Sequence, residues 1–293
     1  MESFEALRRP LFGIAYRMLG SVMEAEDLVQ EAYLRFREGN PTQVRSPEAF
    51  LRTTVIHLSL DHLKSAQVQR ESYIGNWLPE PLPITESEMS FADPADEVAQ
   101  RESISMAFML LLESLSPDER AVFLLHEVFD YKHDEIAAML DKSVEGCRQL
   151  LSRARKHVIE HRPRFQSSPE IHRKIVTQFM EAAQAGELAG LTALLTEDVT
   201  QYADGGGKVS AAPHPLRGRE MVARFVLGMM QAMRLQKPKD TWEIIQINGY
   251  EGFCLRDERG YIEGVLCFES IPEAIRSVYF IANPEKLRHL QHT

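Results

Sequence analysis

Apolar side chains recur every three or four residues through residues 1–73, which is the spacing of one face of a helix. Two such stripes are Leu7, Leu11, Ile14 and Met18, and, after a break at Gly20-Ser21, Leu28, Val29, Ala32 and Phe36. A third helix is predicted from Ser46-Pro47-Glu48, because serine caps helix N-termini and proline suits the first helical position. These patterns predict three helices that share one core.

A second helical segment follows at residues 101–165. Ser116-Pro117-Asp118-Glu119 has the sequence of a capping box, in which serine and glutamate satisfy each other's free amide donors. Two short helical patterns, 134–140 and 144–156, are then joined by the three residues Asp141-Lys142-Ser143. This spacing is typical of a helix-turn-helix.

The second helix of this pair offers a candidate DNA-reading face. Val144, Leu150 and Leu151 can anchor the helix, which leaves polar residues on its outer side. Arginine and glutamine are the side chains that read guanine and adenine edges in a bidentate manner. The stretch 145–165 is also locally basic; its cationic residues are Arg148, Arg153, Arg155, Lys156, Arg162 and Arg164. An ordinary helical hairpin with a solvated charged face is the alternative.

From residue 166 the pattern changes to an α+β type. Helices are predicted at 169–186, 187–195 and 218–233, and strands at 241–247, 253–256, 261–269 and 274–282. Turn sequences such as Asn248-Gly249 separate the strands. We therefore expect an antiparallel sheet packed with helices in residues 166–293.

Charge identifies a linker between the helical segments. The chain has 33 basic and 43 acidic residues, a net charge of −10. Residues 74–100 contain six of the acidic residues, no basic residue and four prolines, without apolar periodicity. The folded segments are thus nearly neutral, and any nucleic-acid binding must come from a local basic face.

The chain has 44% hydrophobic residues but no apolar run long enough to cross a bilayer, and its first residues do not resemble a signal peptide. We therefore expect a cytoplasmic protein. The three cysteines, Cys147, Cys254 and Cys267, lack the spacing of a disulfide framework or a zinc site. No metal, cofactor or catalytic residue is predicted.

The order of helical bundle, acidic linker and helix-turn-helix resembles the extracytoplasmic-function (ECF) sigma factors of bacterial RNA polymerase. The motifs behind this resemblance are Ala25-Glu26-Asp27-Leu28, Ser46-Pro47-Glu48-Ala49-Phe50, Leu115-Ser116-Pro117 and Leu151-Ser152-Arg153-Ala154-Arg155. It implies region 2 at 1–73, a linker at 74–100 and region 4 at 101–165. It also implies two partners, core RNA polymerase and promoter DNA, and no membrane.

The resemblance implies a site for each partner. Core polymerase would contact an acidic stripe made of Glu26, Asp27, Gln30 and Glu31. The −10 element would face the loop 38–45 and the helix 47–64, with Arg45, Arg52, His57, Asp61 and Lys64 as candidates. The −35 element would face Arg148, Gln149, Ser152, Arg153, Arg155 and Lys156.

Residues 166–293 resemble a SnoaL-like regulatory domain, a curved antiparallel sheet around helices that forms a cone with a pocket. A subgroup of ECF sigma factors carries this extension. Three motifs support it: Trp77-Leu78-Pro79-Glu80-Pro81, Asp204-Gly205-Gly206-Gly207-Lys208, and Asn283-Pro284-Glu285-Lys286-Leu287. The subgroup usually has Asp in place of Glu285. We expect the first motif to dock near 204–208, so that the fused domain replaces a separate anti-sigma factor, and an unknown small ligand could occupy the pocket.

Two other classes remain open from the residues. A ligand-sensing helix-turn-helix regulator would form dimers on palindromic sites. A SnoaL-type isomerase or hydrolase would use acid–base residues in the cone, for which Tyr202, Asp204 and His214 are available. The glycine run 205–207 is not a phosphate loop, because Tyr202 and Val209 stand where that pattern needs Gly and Ser or Thr.

Overall fold

A computed structural model describes residues 2–39, 44–70, 73–83, 101–161 and 167–292. Part of the predicted −10 loop, most of the acidic linker, and Arg162 and Arg164 of the predicted basic patch lie outside these residues. The chain divides into two compact units. The N-terminal unit combines Met1–Ser72 with Met109–Arg162, and the C-terminal unit combines Tyr73–Phe108 with Pro163–Thr293.

The N-terminal unit begins with the three predicted helices, α1 (Glu2–Leu19), α2 (Val22–Glu38) and α3 (Pro47–Arg70). Gly20 turns the chain with a φ of 71°, and Ser21 caps α2 by accepting a hydrogen bond from the Glu24 amide. The three helices pack on one another, and Leu11, Ile14 and Val55 are among their buried residues. The apolar stripes therefore form one core, as predicted.

Further helices of the described residues are, in chain order, α4 (Met106–Leu112), α5 (Pro117–Glu127), α6 (His133–Leu140) and α7 (Val144–His161). The capping box at α5 is present, with Ser116 and Glu119 bonded in both directions. Asp141 ends α6 in the left-handed conformation, at φ 51°. This tight turn sets α6 and α7 as a helix-turn-helix, whose second helix packs on α5 through a side that includes Cys147, Leu151 and Ala154.

The C-terminal unit is α+β. Its helices and one face of the sheet enclose a core. The helices are α8 (Pro169–Ala185), α9 (Leu188–Ala193) and α10 (Arg219–Gln236). The strands are β1 (Leu195–Asp204), β2 (Leu216–Arg217), β3 (Thr241–Ile247), β4 (Tyr250–Arg256), β5 (Ile262–Ile271) and β6 (Ala274–Ile281). Phe179, Val199, Val226, Phe268 and Val278 lie in that core. A short 3₁₀ helix, Arg288–His292, follows the last strand.

The sheet has the order β2-β1-β6-β5-β4-β3 and is open at both edges. Register shifts in β1, β4–β5 and β5–β6 mark irregularities of the kind that bend a sheet. The pairings are antiparallel as predicted, except that β1 and β6 run parallel. This is possible because five elements separate β1 from β6, a connection long enough for a parallel crossover.

The sequence predicted neither the two-residue strand β2 nor the longer strand β1. β1 is the more consequential omission, because it ends at Asp204. Its residues Thr196, Glu197 and Asp198 are polar, and the apolar residues do not alternate cleanly, so the segment lacks the period of a half-buried strand. The predicted helix 187–195 is shorter in the structure and ends at Ala193. The other predicted strands agree with the observed ones within a few residues at their ends.

His172 gives the stability of this unit a predicted pH dependence. The imidazole is 2% exposed and lies 2.7 Å from Ser270 Oγ and 2.9 Å from the Glu251 carbonyl oxygen. Burial lowers the pKa of His172 below its usual value. The unfolded chain therefore binds the proton more readily, and the free energy of unfolding should fall as the pH drops below about 6.5.

His172 alone should change the free energy of unfolding by at most about 1.4 kcal/mol per pH unit. Urea unfolding of wild type and His172→Asn at a series of pH values measures it. The variant should have a smaller slope, whereas the exposed control His214→Asn should keep the wild-type slope. Equal slopes in wild type and His172→Asn would contradict the assignment.

Candidate nucleic-acid interface and regulatory contact

The predicted −35 residues form one exposed face of α7. Arg148, Gln149, Ser152, Arg153, Arg155 and Lys156 are all exposed, on the side opposite to the buried residues of the helix. Three of the arginines have acidic neighbours within this unit: Arg148 with Glu145 at 3.7 Å, Arg153 with Glu119 at 2.9 Å and Arg155 with Glu127 at 2.6 Å. Such exposed pairs are weak and leave the guanidinium groups available to an anion.

A groove of about 460 Å³ runs along this face. Arg148, Arg155 and Lys156 line it together with His133 from the start of α6. Burial lowers the pKa of His133, with smaller contributions from His126 and the two arginines. Three cationic side chains and one acidic side chain, Glu160, line the groove, so its net charge is positive and suits phosphate groups.

The predicted −10 residues divide into two sets. Arg45, His57, Asp61 and Lys64 are exposed, and Arg52 is half-buried. Arg52 lies 2.6 Å from Glu48 and donates a hydrogen bond to the hydroxyl of Tyr131 at 2.5 Å, while His57 Nε2 contacts the carbonyl oxygen of Met139. Arg52 and His57 on α3 are therefore engaged by residues next to and within α6.

The predicted polymerase-binding stripe lies on the outer side of α2. Glu26, Asp27 and Gln30 are exposed, whereas Glu31 is half-buried and pairs with Arg35 at 2.8 Å. The buried side of the helix carries Val22, Ala25, Val29 and Ala32. This division leaves three of the four side chains open to a partner.

Asp204, at the end of β1, is the centre of a buried contact between the linker segment and the rest of the C-terminal unit. Its side chain has no exposed surface. Oδ1 accepts hydrogen bonds from the Tyr73 hydroxyl at 2.6 Å and the Gly206 amide at 3.0 Å. Oδ2 accepts from the Leu78 amide at 2.9 Å and from Lys286 Nζ at 2.7 Å. Four donors from three separate segments thus converge on one carboxylate.

Lys286 completes this contact from the other side. Its ammonium lies 4.1 Å from the ring centroid of Trp77 and 5.1 Å from that of Tyr73, and it donates to the Leu78 carbonyl oxygen. Cation–π contacts of this kind gain strength where water is excluded. The pKa of Tyr73 is raised by burial and by its bond to Asp204, so the phenol stays a donor. We call Tyr73, Trp77, Leu78, Asp204 and Lys286 the Asp204 cluster.

The glycine run holds the chain close to this cluster. Gly206 and Gly207 have φ values of 59° and 69°. A Cβ at Gly206 would lie 2.3 Å from Asn283 Nδ2, and one at Gly205 would lie 2.4 Å from the Val209 carbonyl oxygen. Asn283 donates to the Tyr73 hydroxyl at 2.9 Å, and Lys208 pairs with Glu285. The run is therefore required for close approach of backbone and side chains.

The rest of the linker motif is held by contacts with residues near the C-terminus. Leu78, Pro79, Glu80 and Pro81 are buried. His289 lies 2.7 Å from the Pro81 carbonyl oxygen through Nε2 and 4.0 Å from Glu80 through Nδ1. Pro284 is exposed and Leu287 is buried, so the motif 283–287 contributes mainly through Asn283, Lys286 and Leu287.

Asn248 forms a second contact that the sequence did not indicate. Its side chain is buried, accepts from the Leu82 amide at 2.9 Å and donates to the Ile104 carbonyl oxygen at 2.6 Å. Its own amide donates to the Leu82 carbonyl oxygen at 2.8 Å. One residue thus holds the chain on both sides of residues 84–100. The sequence showed only the turn signal of Asn248-Gly249, which is present with φ values of 53° and 79°.

The three residues considered for acid–base catalysis, Tyr202, Asp204 and His214, lie in three different environments. Both oxygens of Asp204 are occupied by the cluster. Tyr202 stacks on Tyr279 with ring centroids 5.5 Å apart, and His214 is exposed.

A cavity of about 680 Å³ lies between α8, α10 and strands β3 and β4, away from these three residues. Met230, Trp242 and Asp240 are in its wall. Occupancy of this cavity by a small ligand stays a prediction.

Within the described residues, no helix is long and apolar enough to cross a membrane. The same part of the chain contains no group of three or more His, Cys, Asp or Glu side chains placed to hold a metal ion. All three cysteines are buried and free.

Comparison with known proteins identifies the class. Sigma-70 region 2 matches residues 4–68, and Sigma-70, region 4 matches residues 105–158. The ECF RNA polymerase sigma factor SigJ of Mycobacterium tuberculosis is 41% identical over 232 residues, 79% of this chain and 73% of SigJ. The probable ECF RNA polymerase sigma factor SigI of the same species is 34% identical over 204 residues, 69% of each chain. The chain belongs to the ECF RNA polymerase sigma factors.

The match extends to the C-terminal unit. The crystal structure of Mycobacterium tuberculosis SigJ superposes with a TM-score of 0.76 at 34% identity, over 97% of both chains. The predicted sigma-factor function is therefore confirmed, and so is the predicted architecture of helical regions 2 and 4 followed by an α+β domain. Because the helix-turn-helix belongs to a sigma factor, a dimeric ligand-sensing regulator is no longer the preferred alternative.

Proposed function

We propose that the exposed face of α7 reads the −35 element and that α3 reads the −10 element when the protein is bound to core RNA polymerase. The observation that carries the first part is the α7 face itself, with Arg148, Gln149 and Arg153 together on one exposed side. A recognition helix enters the major groove, where arginine and glutamine pair with base edges. Arg155 and Lys156 are then left for phosphate oxygens, which position the helix without reading sequence.

The acidic residues of α2 are proposed to bind core polymerase. Glu26, Asp27 and Gln30 are exposed and lie opposite the buried side of the helix. A net charge of −10 weakens attraction of the free protein to DNA, so promoter binding would depend on the polymerase. The protein is then a transcription initiation factor and not an enzyme.

Arg148→Ala tests the −35 assignment. The variant is expected to lose about 1–3 kcal/mol of promoter affinity and to relax the preference at one base pair, because a bidentate contact is removed. Holoenzyme binding to promoters mutated at each −35 position measures both effects.

A matched control for Arg148 is Arg224→Ala. Arg224 is a similarly exposed helical arginine that pairs with Glu220 at 3.4 Å, and it lies in the C-terminal unit. It should leave binding unchanged. Unaltered affinity and base preference in Arg148→Ala would show that this residue does not read DNA.

We further propose that the C-terminal unit is a built-in regulator that acts through the linker. The supporting observation is the Asp204 cluster, in which Tyr73, Trp77 and Leu78 are held by a buried ion pair. Tethering raises effective concentration to roughly millimolar, so even modest contacts can keep the linker docked. A docked linker limits how far regions 2 and 4 can separate.

A fused regulator of this kind would make a separate anti-sigma factor unnecessary. The linker between regions 2 and 4 is the segment that must adjust when both promoter elements are bound. Because the C-terminal unit already holds this segment, control can be exerted within one chain. Co-purification of the full-length protein from its native cell tests this, and a stoichiometric inhibitory partner would contradict it.

A further inference from the structure

The groove on the exposed face of α7 has walls from two helices. Arg148, Arg155 and Lys156 line it from α7, and His133, the first residue of α6, lines it from the other helix of the motif. In a helix-turn-helix bound to DNA, the second helix lies in the major groove while the first helix crosses the phosphate backbone. A phosphate strand that borders the major groove would therefore pass His133 and the cationic side chains of α7 together.

The ring of His133 has one nitrogen that the protein covers and does not bond. Nδ1 is buried without a hydrogen-bond partner, while the side chain as a whole is half-buried. The ring centroid lies 4.7 Å from that of His126, at an interplanar angle of 54°. Since Nδ1 is covered, Nε2 is the nitrogen that can donate to a group in the groove.

The acidic groups near His133 are largely engaged. Glu127, at the end of α5, lies 2.9 Å from His126 Nδ1 and 2.6 Å from Arg155, so two partners share its charge. Asp134 is exposed and follows His133 on α6. Glu160, in the last turns of α7, is the acidic residue that lines the groove.

The cationic groups outweigh these acids at the imidazole. Burial is the main cause that lowers the pKa of His133, and His126, Arg148 and Arg155 lower it further, while Asp134 acts in the opposite direction. A phosphate in the groove reverses this balance, because an opposite charge within a few ångströms favours the protonated imidazole. The geometry thus couples an anion in the groove to a proton on His133.

We propose that His133 holds a backbone phosphate of the −35 element in this groove, and that its imidazole takes up one proton from solvent when the phosphate binds. The inference rests on the proposed function, because it assumes that α7 reads the −35 element. It adds a DNA-contacting residue on the first helix of the motif. Because the contact is to phosphate, His133 positions the motif and reads no base.

The sign of the pH dependence follows from this coupling. The imidazole binds its proton more tightly in the DNA complex than in the free protein, so the complex gains affinity as the pH falls through the usual range of histidine, about 6.5. The contribution of His133 is lost at higher pH, where the ring is neutral in both states.

The salt dependence of promoter binding measures the charge on His133. A protonated side chain that neutralises one phosphate adds about 0.9 to the slope of log affinity against log salt concentration. Holoenzymes made with full-length wild type and His133→Gln are therefore compared. Their slopes should differ by up to about 0.9 at about pH 6 and should agree at about pH 8.

His133→Arg is the matching variant with a permanent charge. Its slope should equal that of wild type at the lower pH and exceed it at the higher pH, because arginine stays protonated. This recovery separates the charge of His133 from any effect of the substitution on folding.

His157→Gln is the control for a histidine of the same unit outside the groove. His157 Nε2 lies 2.7 Å from Ser114 Oγ. This variant should keep the wild-type slope at both pH values.

Equal slopes for wild type and His133→Gln at the lower pH, with Arg148→Ala still relaxing base preference, would overturn the role of His133 and leave the proposed function intact. A difference of the same size at both pH values would overturn the proton uptake. If Arg148→Ala also left promoter binding unchanged, the proposed −35 face would be wrong, and this inference with it. A difference confined to the lower pH, with unchanged base preference in His133→Gln, supports the proposal.

Discussion

Asp204→Asn is expected to lower the free energy of unfolding of the C-terminal unit by about 3–5 kcal/mol, because it leaves the buried ammonium of Lys286 without a counter-charge. The asparagine amide would also face donors that now bond the carboxylate, including the Leu78 amide. The linker should therefore detach, with faster hydrogen exchange at Leu78. Urea unfolding and exchange measured by mass spectrometry report the two effects.

Two further variants separate the effect of the buried charge from the effect of side-chain shape on stability. Lys286→Met should cost less than Asp204→Asn, because Tyr73, Leu78 and Gly206 still donate to the carboxylate. Glu285→Gln breaks the exposed pair with Lys208 and should have a much smaller effect than either. If Asp204→Asn and Glu285→Gln were equally mild, the Asp204 cluster would not be what holds the linker.

Asn248→Ala is expected to lower the free energy of unfolding of the C-terminal unit by about 2–4 kcal/mol. The substitution removes two buried hydrogen bonds and leaves the Leu82 amide and the Ile104 carbonyl oxygen without these partners. Both sides of residues 84–100 should then loosen together. Limited proteolysis and hydrogen exchange at Leu82 and Ile104 measure this.

The positive φ of Asn248 calls for a control. Asn248→Gly removes the same side chain but tolerates a φ of 53° without strain. Both variants should loosen the linker, with Asn248→Ala the less stable of the two. Protection at Leu82 and Ile104 that survives in both variants would show that other contacts hold these segments.

The sequence predicted the segments of the regulatory site, including the docking of residues 77–81 near residues 204–208, but not the individual contacts between them. Trp77, Asp204 and Lys286 were found from motifs of the resembling subgroup. Tyr73 and Asn248 were not, because their roles depend on long-range register. The parallel pairing of β1 with β6 sets Asp204 opposite Ile281, which brings the segment 283–287 beside it. No local pattern indicates a pairing between residues so far apart.

Predictions from the sequence were more accurate for features that form within a single helix or turn. The capping box at Ser116, the turn at Asp141 and the exposed face of α7 all follow from residues within one or two turns of helix. The packing of region 2 on region 4 was missed because charged residues mediate it. Arg120 is of a residue type that usually faces water, so its burial was not expected.

Run-off transcription with bacterial core polymerase, from the protein's own upstream region, is the most direct measurement of function. Full-length protein is compared with a 1–165 truncation at equal concentration. We expect core-dependent transcripts from the full-length protein, and a changed yield or promoter preference from the truncation because the linker is no longer held. No transcript from either protein across several promoters would contradict the sigma-factor function, and identical transcripts from both would contradict regulation by the C-terminal unit.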